Sequence, residues 1–199
     1  LSEAVRLDPG NAANRNNLGS LLRSRGRGDE AAAAFRSAIE ADPGFAMAHA
    51  NLGALLRAEG NLAEAESTCR RALELDPASL DARINLGNVL LAAGAPDAAL
   101  EAYEHAGLLA PGDIAAHSNQ GLALKDLGRP EAALIRFRRA LAINPGAAEV
   151  HFNLGNTLRE TGALEDAVES LTRAVALDAA HNRACTNLGV SLRDLGRIE

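Results

Sequence analysis

The chain has few large rings: no tryptophan, one tyrosine and four phenylalanines, so aromatic residues make up 3% of its 199 residues. Alanine is abundant instead, with 43 residues. A core this poor in rings must form by close approach of small and aliphatic side chains, which favours stacked helices over a sheet. We therefore expect an all-α fold.

An excess of basic charge is also missing, because 20 Lys and Arg stand against 26 Asp and Glu, a net charge of −6. Such a chain has no general field that attracts nucleic-acid phosphates or anionic lipids, so neither is an expected partner. No apolar run approaches the roughly 18 residues of a membrane span, and the first residues lack the pattern of a signal peptide. With only two cysteines, we expect a cytoplasmic protein without membrane insertion.

A period of 34 residues organises the chain. An Asn-x-Gly tripeptide, a second glycine and a proline each recur at that step; the second glycines are Gly26, Gly60, Gly94, Gly128, Gly162 and Gly196. Each unit is predicted to form two helices of about 14 residues. The first helix runs, for example, from Ala46 to Glu59 and ends where Gly60 can adopt the left-handed conformation. The second helix begins near an acidic residue such as Glu131 and stops at an Asp-Pro, Asn-Pro or Ala-Pro pair.

Within the repeating unit a Leu-Gly-x-x-Leu segment of the first helix is followed, in order, by an alanine, a larger residue, a second alanine and a proline. This pattern and the 34-residue period resemble the tetratricopeptide repeat. The resemblance implies one array over 1–199, an all-α, right-handed superhelical solenoid of stacked antiparallel helix pairs. Full repeats are 12–45, 46–79, 80–113, 114–147 and 148–181, after 1–11 as the end of a preceding repeat and before 182–199 as the first helix of a truncated one. These ends lack polar caps, so we expect a segment of a longer array.

Positions counted from 1 to 34 within each repeat give the expected core. Position 8 is always glycine and positions 20 and 27 are always alanine, so the two helices can approach closely. Position 24 is larger and is expected to fill the space left between repeats: Phe35, Cys69, Tyr103, Phe137 and Leu171. Two departures are Gln120 and Ala179, which stand where other repeats have leucine and proline, and we expect the fourth repeat to pack less tightly.

The histidines and cysteines of the sequence do not form a recognisable metal-binding or catalytic site. His49, His117, His151 and Cys185 share position 4, but equal positions of neighbouring repeats are about 10 Å apart, too far for one metal ion. They are interpreted as packing residues, and both Cys69 and Cys185 are predicted to point into helix interfaces. No phosphate loop or catalytic triad is present. The chain is predicted to be no enzyme and to hold no cofactor, although a catalytic domain outside it stays open.

Positions 2, 6, 9 and 13 of the first helix lie on one side of the helical wheel, opposite positions 4, 8 and 11. The resemblance implies that first helices form a concave wall, so these positions are expected to line a groove. Our candidate peptide-binding residues are Asn17, Asn51, Asn85, Asn119, Asn153 and Asn187 at position 6, Asn88 and Asn156 at position 9, and Asp126, Glu160 and Asp194 at position 13. The groove is thus uncharged at its start and acidic at its end. Basic residues at position 12, such as Lys125, are interpreted as solvated partners of nearby acids.

A row of asparagine amides can pair with both the C=O and the N–H of an extended chain without reading its side chains. The predicted function is therefore a protein-interaction scaffold that binds an extended peptide or protein segment. The row is also similar to that of the O-linked N-acetylglucosamine transferases, which implies an alternative role in recruiting substrates to a glycosyltransferase domain. A third hypothesis is a self-assembling scaffold, a weak homo-oligomer joined through uncapped ends, where Leu188, Leu192 and Leu195 would be exposed.

Overall fold

A computed structural model of the protein describes residues 11–196, and this part of the chain contains eleven α-helices and no strand. The first helices of the repeats have 13 residues and the second helices 14: α1 Ala12–Ser24, α2 Gly28–Ala41, α3 Ala46–Ala58, α4 Leu62–Leu75, α5 Leu80–Ala92, α6 Pro96–Leu109, α7 Ile114–Asp126, α8 Pro130–Ile143, α9 Ala148–Glu160, α10 Leu164–Leu177 and α11 Asn182–Asp194. The predicted all-α class of stacked helix pairs is confirmed. Residues 1–10 and 197–199, which include nearly all of the predicted preceding repeat, lie outside the described residues.

The helices end where the local sequence predicts. Each first helix is followed by a glycine with positive φ, for example +82° at Gly60, a conformation that a side chain would strain. Four of the five second helices end before an Asp or Asn whose side chain closes the next turn, whereas α6 ends before Ala110. For example, Asp42 Oδ1 accepts from the Gly44 N–H at 2.9 Å. Asp178 accepts from the Ala180 N–H at 3.0 Å in the same way. The turn therefore forms although Ala179 replaces the proline.

The core of each helix pair is built on the small residues that the repeat pattern singles out. The alanines at positions 20 and 27 have no solvent exposure, for example Ala133 and Ala140. The residue at position 24 is also fully buried, and it lies against the glycine at position 8 of its own repeat. An ideal Cβ on Gly121 would be 2.5 Å from Cε1 of Phe137. Glycine thus makes room for position 24 within the pair, and Leu171 also belongs to a buried cluster with Ala184 of the next repeat, as expected of a residue that fills space between repeats.

The chain divides into two compact units, 1–109 and 110–199. In the first unit α1 packs on α2, α3 on α4 and α5 on α6. The second helices α2 and α4 also contact the first helix of the next pair, α3 and α5 respectively. In the second unit α7 packs on α8 and α9 on α10, which in turn contacts α11. First helices of successive pairs also touch within a unit. Among the described residues, every helix is too short or too polar to cross a membrane.

Candidate functional site

Within each unit the first helices present a mostly exposed or half-buried strip, which we call the first-helix surface: positions 2, 6, 9 and 13 of each repeat. Position 13 is exposed throughout, and position 2 includes Met47, whose exposed fraction is 56%. In the five full repeats, positions 8 and 11 of the same helices are buried, for example Gly53 and Leu56. The helical-wheel prediction of which side faces outward therefore agrees with the structure, except at position 9, where Asn156 is buried.

The asparagines at position 6, the asparagine row, lie on this surface. Asn17 is exposed and the other five are half-buried. Some also bind the preceding repeat: Asn51 Nδ2 donates to Asn16 Oδ1 at 2.8 Å, and Asn85 Nδ2 donates to the Ala50 carbonyl oxygen at 3.2 Å. The amides are therefore hydrogen-bonded within the array as well as turned toward solvent.

The two asparagines at position 9 have internal partners. Asn88 Oδ1 accepts from the Tyr103 hydroxyl at 2.8 Å. Asn156 is 9% exposed, and its Oδ1 accepts from Asn187 Nδ2 at 2.6 Å. The sequence suggested no such partners, because a helical wheel shows which side a residue takes and not what the next repeat brings to it. These contacts connect the asparagine row to the packed interior.

The acidic residues at position 13 are all exposed: Asp126, Glu160 and Asp194. Glu160 Oε1 forms an ion pair with Lys125 Nζ of the preceding repeat at 2.8 Å. The interpretation of Lys125 as the solvated partner of a nearby acid thus agrees with the structure. Because this pair neutralises part of the local charge, the acidic character of the surface rests mainly on the two aspartates.

Position 4 has a role that the sequence analysis missed. His151 Nε2 lies 3.0 Å from the Pro145 carbonyl oxygen, and His49 and His117 make the same contact in their repeats. Arg83 replaces histidine and donates to the Pro77 carbonyl oxygen at 2.7 Å. Position 4 therefore connects the first helix to the turn before it. In the described part of the chain no three His, Cys, Asp or Glu side chains are grouped as metal ligands.

The two cysteines differ, which corrects one expectation. Cys69 is fully buried against Gly53, and burial raises the pKa of its thiol to about 12. Cys185, predicted to point into a helix interface, is exposed. The physical reason is that position 4 lies on the side of a first helix that packs against the second helix of its repeat, and no second helix follows α11 among the described residues.

The start of α11 carries a further cluster on the first-helix surface. His181 Nδ1 accepts from the Ala184 N–H at 3.2 Å, and His181 Nε2 lies 2.9 Å from Glu149 Oε2. The His181 ring is 4.7 Å from the ring of Phe152, and the Arg183 guanidinium carbon is also 4.7 Å from that ring centre. Glu149 and Phe152 lie on α9, whereas His181 and Arg183 lie at the start of α11, so the grouping depends on the packing of these two helices.

This geometry, with paired helices, glycine against position 24 and an amide-lined first-helix surface, defines a helical repeat protein. Models of the tetratricopeptide repeat match residues 1–44, 16–79, 118–182 and 56–121. The chain belongs to the tetratricopeptide repeat family. Among curated proteins no match was found.

Solved structures of this family share the fold. YrrB, described as a protein with an unusual peptide-binding site, is 26% identical with a TM-score of 0.66, over 94% of this chain and 96% of that one. TTC0263 from Thermus thermophilus is 21% identical with a TM-score of 0.79, over 91% and 98%. A chain of the Cut9-Hcn1 assembly of the APC/C is 19% identical with a TM-score of 0.88, over 97% of this chain and 38% of that one.

Proposed function

We propose that this protein is an interaction scaffold whose first-helix surface binds an extended protein segment, with the asparagine row contacting its backbone. The observation that carries the proposal is the way Asn85 is held. Its Nδ2 donates to the Ala50 carbonyl oxygen, which can only accept, so the orientation of the amide is determined. Its Oδ1 therefore points away from that bond and is available to a backbone N–H of a bound chain.

Spacing along the row suits an extended partner. Helices of neighbouring repeats pack about 10 Å apart, and three residues of extended chain span about the same length at 3.3 Å each. One asparagine would thus meet every third residue of the partner. YrrB, whose description names a peptide-binding site, supports this class of ligand.

The acidic residues give the second unit a preference for basic segments. Asp126 and Asp194 are exposed at position 13, while Lys125 offsets part of the charge of Glu160. A contact of this kind is solvent-exposed and weakens as salt rises. Replacing both aspartates by asparagine should therefore lower affinity for basic peptides more than for neutral ones, most clearly at low salt.

The decisive experiment compares Asn153→Ala with Thr172→Ala against a peptide library. The side chain of Asn153 has no hydrogen bond among the described residues, so its loss should leave stability nearly unchanged, while binding falls by about 0.5 to 1.5 kcal/mol. The loss should be similar for peptides of different sequence. Thr172, exposed on α10 away from the row, is the matched control.

A triple change of Asn85, Asn119 and Asn153 to alanine should weaken binding further. Because Asn85 also bonds to Ala50, this variant should lose some stability, about 1 kcal/mol for that hydrogen bond. Normal binding by both asparagine variants would refute the proposal. The alternative role beside a glycosyltransferase domain stays a prediction, since it concerns a domain outside the described residues.

A further inference from the structure

The second helices carry a cleft on the outer face, away from the asparagine row. In the second unit it lies between α8 and α10 with α9 beneath, and its volume is about 770 Å³. Leu154 and Leu158 lie among its lining residues on α9, Arg138 on α8 and Asp166 on α10. We call this the outer cleft. The proposed peptide-binding surface uses none of these residues.

Arg138 and Asp166, on opposite sides of the outer cleft, do not form an ion pair with each other. Between the first and second repeats the equivalent residues, Arg36 and Glu64, form an ion pair at 3.0 Å that bridges neighbouring second helices. Asp166 is one methylene shorter than Glu64, and within the described residues no ion pair joins it to Arg138. The cleft therefore has opposite charges on its two sides, above a floor in which Leu154 and Leu158 are 7% and 3% exposed.

An exposed apolar side chain lies on α8, the helix that carries Arg138. Ile135 is 65% exposed and precedes Arg138 by one turn of α8. The helices also differ in charge: α8 carries three arginines and one glutamate, and α10 carries three acidic residues and one arginine. A surface with α8 and α10 side by side is therefore complementary to a second copy of itself.

We propose that two copies of this chain associate through their outer faces, with α8 of each copy lying in the outer cleft of the other. Ile135 of one copy would rest on Leu154 and Leu158 of its partner, and Arg138 would face Asp166 across the interface. Because helices pack with the ridges of one in the grooves of another, α8 of each copy can pack in the cleft of the other at the same time. The contact is isologous, so it closes as a dimer.

Sedimentation of the full chain from micromolar to millimolar concentration tests the proposal. We expect a monomer–dimer equilibrium. Ile135→Glu should weaken the dimer by at least about tenfold, because a charge replaces an apolar side chain that the dimer would bury. Met47→Glu is the matched control, since Met47 is 56% exposed but lies on the first-helix surface. It should leave the dimer unchanged. Circular dichroism of each variant verifies the fold.

Charge exchange gives a second test that instability cannot mimic. Arg138→Glu and Asp166→Arg should each weaken the dimer of that variant, because like charges then meet twice. Mixing the two variants should restore association, because both contacts become opposite in charge. A wild-type chain that stays monomeric throughout, a mixture that does not associate, or equal loss from Met47→Glu would overturn the proposal.

Discussion

Replacing the glycine at position 8 by alanine in two repeats tests directly whether this glycine makes room for the residue at position 24. Gly121 and Gly189 occupy equal positions in α7 and α11 but have different surroundings. A Cβ on Gly121 would lie 2.5, 2.7 and 2.8 Å from three carbons of the Phe137 ring, whereas within residues 11–196 one on Gly189 would have no atom outside its own helix backbone within 4 Å. The same substitution to alanine should therefore change stability in opposite directions.

The magnitudes follow from two opposing effects. Alanine is better than glycine inside a helix by about 1 kcal/mol, and at Gly189 this gain is the whole effect. At Gly121 the buried ring must move, and overpacking costs about 1 to 3 kcal/mol. Gly121→Ala should thus be about 0 to 2 kcal/mol less stable than the wild type. Gly121→Leu should lose about 3 kcal/mol or more, because three further carbons enter the same space.

Urea unfolding followed by circular dichroism measures these free energies, and hydrogen exchange of the α7 and α11 amides separates the two repeats. Gln120→Leu is the matched comparison, because Gln120 is 2% exposed where other repeats have leucine. It should be less disruptive than Gly121→Leu. A stabilised Gly121→Ala, a destabilised Gly189→Ala, or a Gln120→Leu less stable than Gly121→Leu would refute the reasoning.

Three smaller changes test other features. Iodoacetamide at mildly alkaline pH should label Cys185 and leave Cys69 unmodified until the protein unfolds, because burial raises the pKa of that thiol to about 12; mass spectrometry counts the adducts. Ala179→Pro should stabilise by about 0.4 to 1 kcal/mol by restricting the unfolded chain, as thermal melting would show. His151→Leu should lose about 0.5 to 1.5 kcal/mol with its contact to Pro145, and His151→Arg should lose less in the same urea titration.

The secondary structure and the pattern of the core can be predicted from the sequence alone. Helix ends depend on local chemistry: Gly60 tolerates positive φ, and residues such as Asp42 close the following turn. The glycine at position 8 and the alanines at positions 20 and 27 indicate close helix contact because only small side chains permit it. These properties recur with the 34-residue period, so each repeat supports the interpretation of the others.

Tertiary structure decided which side chains are free to act. Asn156 shares the asparagine pattern but is buried and accepts from Asn187, a partner that comes from the next repeat. Cys185 shares position 4 with three histidines yet is exposed, because no second helix faces α11 among the described residues. Asp166 and Arg138 on the two sides of the outer cleft do not form the bridge that Glu64 and Arg36 form. These differences depend on distances between helices. The periodicity of the sequence shows on which side of its helix a residue lies, but it does not show which side chains of the neighbouring helices lie within contact distance.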